Sequence, residues 1–211
     1  KKKKSKEKMA YPLKFFVTFM LFSILVRVRC ESYVREACSV TLYQDICMRS
    51  LASYSQHLKR SPRRWARVGL SVTIVEVKSV FQHLDKLKRH GRIRGKRTRA
   101  ALSDCVECIQ DTLDNLHIAL KVLRRLSFRA FEAQMNDVLT YLSAALTDED
   151  TCIDGFQGRR KARRIARFCD EVQNASYITS NALALANKLA TTGFHDLGEV
   201  HHDDQYDEHH P

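Results

Sequence analysis

Glycine and proline are scarce in this chain, 7 and 3 among 211 residues, against ordinary usage of about 7% and about 5%. So few chain-breakers exclude a collagen repeat, a Pro/Gly-rich disordered segment and a loop-rich or all-β domain. Tryptophan occurs once, at Trp65, so there is no series of aromatic platforms for stacking single-stranded nucleic acid. Catalytic patterns are also missing: there is no nucleophile elbow, phosphate loop or HExxH. A carboxylate–metal site in a helical bundle needs Glu-x-x-His in the core. The nearest approach, Asp114-Asn115-Leu116-His117, faces outward from its helix. No enzyme activity, cofactor or metal is therefore expected.

The chain does have 44% hydrophobic residues, enough for a substantial core in one domain with appendages. Its net charge of +12 is unevenly spread. Residues 1–30 hold nine basic groups and one acid, and residues 195–211 hold six acids, five His and no Lys or Arg. The body between them has 27 basic and 17 acidic residues. A basic body invites a nucleic-acid reading, but the ends of the chain argue against it. Phe15–Val26 is a twelve-residue apolar run behind Lys14, too short for a membrane-spanning helix, which needs about 20 residues. It has the length of a secretory h-region, with Val28 and Cys30 as a −3/−1 pair before cleavage at Glu31. Arg27 and Arg29 behind it are unusual for a signal peptide, so a signal anchor or a buried helix stays open. Cleavage leaves six cysteines (Cys38, Cys47, Cys105, Cys108, Cys152 and Cys169), an even number that suits disulfides in an exported chain.

Four helical periods follow. Behind Pro62, Leu70, Ile74, Val77, Phe81 and Leu84 recur at helical spacing. Leu102, Val106, Ile109, Leu113, Leu116, Leu120 and Leu123 do so over six turns. Met135, Leu139, Leu142 and Leu146 mark a third segment. Ile165, Phe168, Val172, Leu183, Ala186 and Leu189 mark a fourth. Such stripes are core positions, and four antiparallel helices with short connections predict an up-and-down bundle. Asn174-Ala175-Ser176 is a glycosylation sequon, usable only on a polar face. On the second helix, with Glu107 at 0°, Asp111 falls at about 40° and Asp114 at about −20°, while the leucine stripe centres near 210°. The three acids share one outward face.

Several stretches now converge: Cys38-x-x-Thr41-x-Tyr43-x-x-x-Cys47, Ala101-Leu102-Ser103-Asp104-Cys105, Tyr141 to Phe156 (YLSAALTDEDTCIDGF), and Thr179 to Leu185. In order and spacing they resemble the plant invertase and pectin methylesterase inhibitor family. The resemblance covers roughly Tyr33 to Leu189. It implies an all-α, disulfide-stapled fold, a four-helix bundle preceded by an N-terminal helical hairpin. The parts are a leader in residues 1–30, the hairpin in 31–60, the bundle in 61–194 and a disordered acidic, His-bearing tail in 195–211. It also implies the pairs Cys38–Cys47 and Cys105–Cys152, worth about 2.7 and about 4 kcal/mol by chain entropy. Cys108 and Cys169 match none of the family's four cysteines, so they are either free thiols or a further bridge.

The same resemblance implies a secreted, apoplastic inhibitor of pectin methylesterase that fills the enzyme's carbohydrate cleft non-covalently in a 1:1 complex. Contacts would come from Arg99, Glu107, Asp111, Asp114, Thr151 and Asp154. The alternative target is invertase, whose inhibitors carry a Pro-Lys-Phe loop. That tripeptide is absent here, and the corresponding stretch before the third helix reads Gln134-Met135-Asn136-Asp137. Two basic loops, Arg92, Arg94, Lys96, Arg97 and Arg99, then Arg159, Arg160, Lys161, Arg163 and Arg164, suggest a second partner. That partner is de-esterified pectin, a polyanion; neither nucleic acid nor, after cleavage, membrane is expected. A basic pectin-binding wall protein is thus the reading of another class.

Overall fold

The structure, a computed structural model, describes residues 32–90, 95–158 and 162–193 together with Phe16, Phe19 and Met20. Apart from those three residues, the expected leader lies outside the described residues. So do the acidic tail and Arg92, Arg94, Arg159, Arg160 and Lys161.

All regular structure among the described residues is helical. Helix α1 covers residues 32–38. After it come α2 (Gln44–Leu51), a 3-10 turn (Ala52–Tyr54), α3 (Ser55–Leu58), α4 (Pro62–His90) and α5 (Lys96–Arg124). A second 3-10 turn (Phe128–Ala130) leads into α6 (Phe131–Asp154), and α7 (Arg163–Thr192) completes the series. Proline suits the first turn of α4, where its missing N–H has no partner to lose. The Ser61 hydroxyl accepts from the Arg64 N–H there. Gly193 follows α7 with φ 74° and ψ −177°, a conformation open to glycine.

Helices α4 to α7 form the bundle, packing α4 on α5, α5 on α6, α6 on α7 and α7 on α4. The hairpin lies on the α4–α7 side through α2. The outward face of α5 and α6 is therefore opposite the hairpin. Leu70, Val77, Leu84, Ile109, Leu116, Leu123, Leu142, Phe168, Val172 and Leu189 are all completely buried. At the α4–α7 contact Gly69 brings the helices together: a Cβ there would lie 2.9 Å from Leu185 Cδ1.

The stripes needed adjustment. On α6 the buried set is Met135, Val138, Leu142, Ala145, Glu149, Cys152 and Ile153, with Leu139 and Leu146 only half-buried. On α5, Thr112 and Ala119 are buried while Val106 and Leu113 are half-buried. Bundle helices face two neighbours each, so the buried arc is wider than a single leucine seam. Gln134 to Asp137, read as preceding the third helix, lies inside the early turns of α6. The basic loops are also shorter than expected. Lys96, Arg97 and Arg99 belong to the start of α5, and Arg163 and Arg164 to the start of α7.

The hairpin has its own small core of Val34, Cys38, Cys47, Leu51 and Leu58 against Trp65 and Leu185. The Cys38–Cys47 disulfide closes it. Buried Asn181 on α7 clamps it to the bundle, its side-chain carbonyl accepting from the Tyr43 N–H at 3.2 Å and its amide donating to the Tyr43 carbonyl at 2.9 Å. The Tyr43 and Tyr177 rings stack at 4.1 Å.

Candidate functional site

The second disulfide, Cys105–Cys152, sets the level of α6 against α5 with Cα atoms 4.4 Å apart. One turn further on, Gly155 faces Ala101, whose Cβ would be 3.6 Å from a Cβ at that glycine. With the helices antiparallel, Thr151 comes level with the α5 turn that carries Glu107. Asp154 comes level with the turn before it. Glu107, Asp111 and Asp114 are all exposed, as are Thr151 and Asp154. Seven residues from Glu107 to Asp114 span about 10 Å. The Thr151 hydroxyl is held on its own helix by the Thr147 carbonyl at 2.7 Å. The Asp154 carboxylate accepts from the Gln157 amide at 2.9 Å. Arg99 is exposed near the start of α5, about 12 Å from Glu107 along the axis.

The structure adds three residues to this face. Asp104 is exposed one turn before Glu107. Half-buried Asp148 accepts from the Asn115 amide across the α5–α6 groove at 3.1 Å. Burial pushes the Asp148 carboxyl above the usual carboxylate range; the Asn115 hydrogen bond opposes this and the charge of Asp111 adds to it. Burial also raises the Cys108 thiol, helped by Asp148, Asp111 and Asp104. These couplings bring Asp104, Cys108, Asp111 and Asp148 into one neighbourhood. Asp148 could have been found from the sequence, since its run of acids sits four residues before Cys152. Asn115 could not, because its polar contact depends on the helix crossing. Cys108 and Cys169 take part in neither disulfide.

Asn174, the glycosylation candidate, lies on α7. It is half-buried between α7 and α4, its amide donating to Glu76 at 3.2 Å, and Ser176 of the same sequon is buried. Among the described residues no group of three or more His, Cys, Asp or Glu could hold a metal. No helix among them is long and apolar enough to cross a membrane.

Fold and site together define a disulfide-stapled, all-helical bundle with one polar, mostly acidic helix-pair face. The model of the family described as plant invertase/pectin methylesterase inhibitor matches residues 32–185, and the chain belongs to that family. It is 42% identical to pectinesterase inhibitor 6 of Arabidopsis thaliana over 174 residues, 77% of this chain and 78% of that one. It is 35% identical to pectinesterase inhibitor 10 of the same plant, across 76% of this chain and 52% of the other. A crystal structure of a mutant form of a pectin methylesterase inhibitor from Arabidopsis superposes with TM-score 0.59 at 20% identity. It covers 72% of this chain and 93% of that one. These relatives are named as inhibitors, not enzymes.

Proposed function

We propose that the chain inhibits a pectin methylesterase by laying the α5–α6 face across the enzyme's carbohydrate cleft in a non-covalent 1:1 complex. The observation that carries this is the shared exposure of Glu107, Asp111 and Asp114 beside Thr151 and Asp154, fixed by Cys105–Cys152. Carboxylates presented together on a rigid helix pair steer a basic partner and set its register more than they supply raw affinity. Arg99, exposed near the start of α5, adds a cation beside the acids. No acyl or glycosyl chemistry is needed, because occupancy of the cleft is sufficient. Secretion to the apoplast follows from this reading, with residues 1–30 as the leader, 31–60 as the hairpin, 61–194 as the inhibitory bundle and 195–211 as a tail. The basic residues around Arg92–Arg99 and Arg159–Arg164 would bind de-esterified pectin. Invertase is the less favoured target, since Pro-Lys-Phe is absent.

A methanol-release assay with a plant pectin methylesterase, beside a cell-wall invertase control, tests the reading. Loss of esterase activity near equimolar inhibitor, with invertase untouched, is the expected result. Asp111→Lys with Asp154→Lys should weaken inhibition at least about a hundredfold, as charge reversals at two contacts do, with helicity retained. Full inhibition by that double variant would remove this face from the mechanism.

A further inference from the structure

On the side away from the acidic face, where the hairpin meets α4 and α7, a cleft of about 70 Å³ opens. Its floor and wall are Trp65, Leu185 and Tyr33, and Lys59, Arg60 and Lys188 stand around it. Glu36 is the one acid lining it, against three cations. An apolar floor under an excess of positive charge selects a ligand with both a carboxylate and an apolar ring face.

Three features make the cleft a formed site. The indole N–H of Trp65, itself buried, donates to the Lys59 carbonyl at 2.8 Å, so floor and rim are tied together. The Arg64 guanidinium holds the preceding His57 carbonyl at 3.2 Å. Lys59 has φ 47° and ψ −130°, and it is the one described non-glycine residue with positive φ. Glycine would take that conformation without strain. Lysine there is held at a conformational cost while lining the cleft. The cleft also already receives a carboxylate: Glu36 Oε2 lies 3.4 Å from Arg60 Nε, with both side chains mostly exposed.

We propose that this cleft binds galacturonate units of de-esterified pectin, with Lys59, Arg60 and Lys188 taking the carboxylate and the half-buried Tyr33 ring lying against the sugar. The choice of ligand rests on the inhibitor reading, because an enzyme that removes methyl esters from pectin leaves galacturonate behind. An acidic peptide would satisfy the cations but offers no ring for the aromatic floor. Bound there, the inhibitor stays where esterase has already acted, with its acidic face directed away from the polymer.

The full chain, with Arg92, Arg94, Lys96, Arg97, Arg159, Arg160, Lys161, Arg163 and Arg164 changed to Gln in every sample so that those basic stretches do not contribute, is titrated by calorimetry with an oligogalacturonate of defined length, its fully methyl-esterified counterpart, and a poly-glutamate of equal charge. Binding to the first alone is expected. Lys59→Gln with Lys188→Gln should weaken it by about tenfold or more, as loss of charge-assisted hydrogen bonds does. Glu36→Gln should tighten it, since a competing carboxylate is removed, which a merely structural role would not do. Lys59→Gly should lose affinity without lowering the melting temperature. Undiminished binding by the double lysine variant, or equal binding of poly-glutamate, would overturn the proposal. Esterase inhibition measured on the same variants should be unchanged. Oligogalacturonate binding without esterase inhibition would sink the inhibitor reading and leave this site standing; inhibition without binding would do the reverse.

Discussion

Glu149 shows what one residue does inside a bundle. It lies in a run of acids, Asp148-Glu149-Asp150, that looks like a solvated surface. Yet it follows Ala145 by four residues and precedes Cys152 by three, which turns it into the core. It is completely buried, one carboxyl oxygen accepting from the Thr179 hydroxyl at 3.0 Å and the other without a partner. Burial is the main cause raising its pKa to about 8; the Thr179 hydrogen bond opposes the rise, and Asp150 and Asp148 add to it. Between its ordinary value near 4.5 and about 8, the folded chain holds a proton that the unfolded chain has released. Stability is therefore full below that window and falls as pH rises through it. Thermal melts between about pH 5 and about pH 8 should show a decline of at least about 5 °C, and Glu149→Gln should flatten it. A slope unchanged in the glutamine variant would assign the pH dependence to other groups.

At the scale of elements, the hairpin is the part with the smallest hold on the rest. Its core is one cluster against Trp65 and Leu185, and its polar attachments are Asn181 on Tyr43 and the Trp65 and Arg64 side chains on the Lys59 and His57 carbonyls at its end. Replacing Asn181 by Ala strands the Tyr43 N–H, while the Tyr43 carbonyl keeps the Cys47 N–H, a loss of about 1–3 kcal/mol. The bundle core does not depend on that clamp. Limited proteolysis of Asn181→Ala should thus cut in the hairpin first, with the α4–α7 fragment surviving; uniform degradation would mean the two parts unfold as one. Helix α4 is held to α7 at more points: Gly69 packs on Ala182 at close range, and Glu76 and His83 pair with Asn174 and Glu171.

For the whole molecule, the two disulfides divide the stabilising work. Cys38–Cys47 closes a short loop within the hairpin, whereas Cys105–Cys152 joins two long helices across 47 positions of sequence. Chain entropy makes the second worth more, and reduction of both should lower the melting temperature by more than about 10 °C. The Cys105→Ser, Cys152→Ser pair should account for most of that fall and should also weaken esterase inhibition, since the bridge aligns Thr151 with Glu107. A double variant that melts lower but inhibits fully would show that helix packing alone aligns the face.

The helical class, the four long segments and the outward acids on α5 were legible in the sequence, because period and polarity are properties of consecutive residues. Leu70, Ile109, Leu116 and Leu189 sit where their spacing put them. Which side of α6 is buried was not legible, since Leu139 and Leu146 match the period as well as Val138 and Ala145 do. Only packing against both α5 and α7 chooses between them. The same holds for Asn115 with Asp148, for Asn174 with Glu76, and for the cleft between the hairpin and α7. Those depend on distances between residues far apart along the chain. The sequence by itself determined the helices and their polar faces through local periodicity; the tertiary structure alone decided which faces meet, because contact between helices depends on their crossing and level.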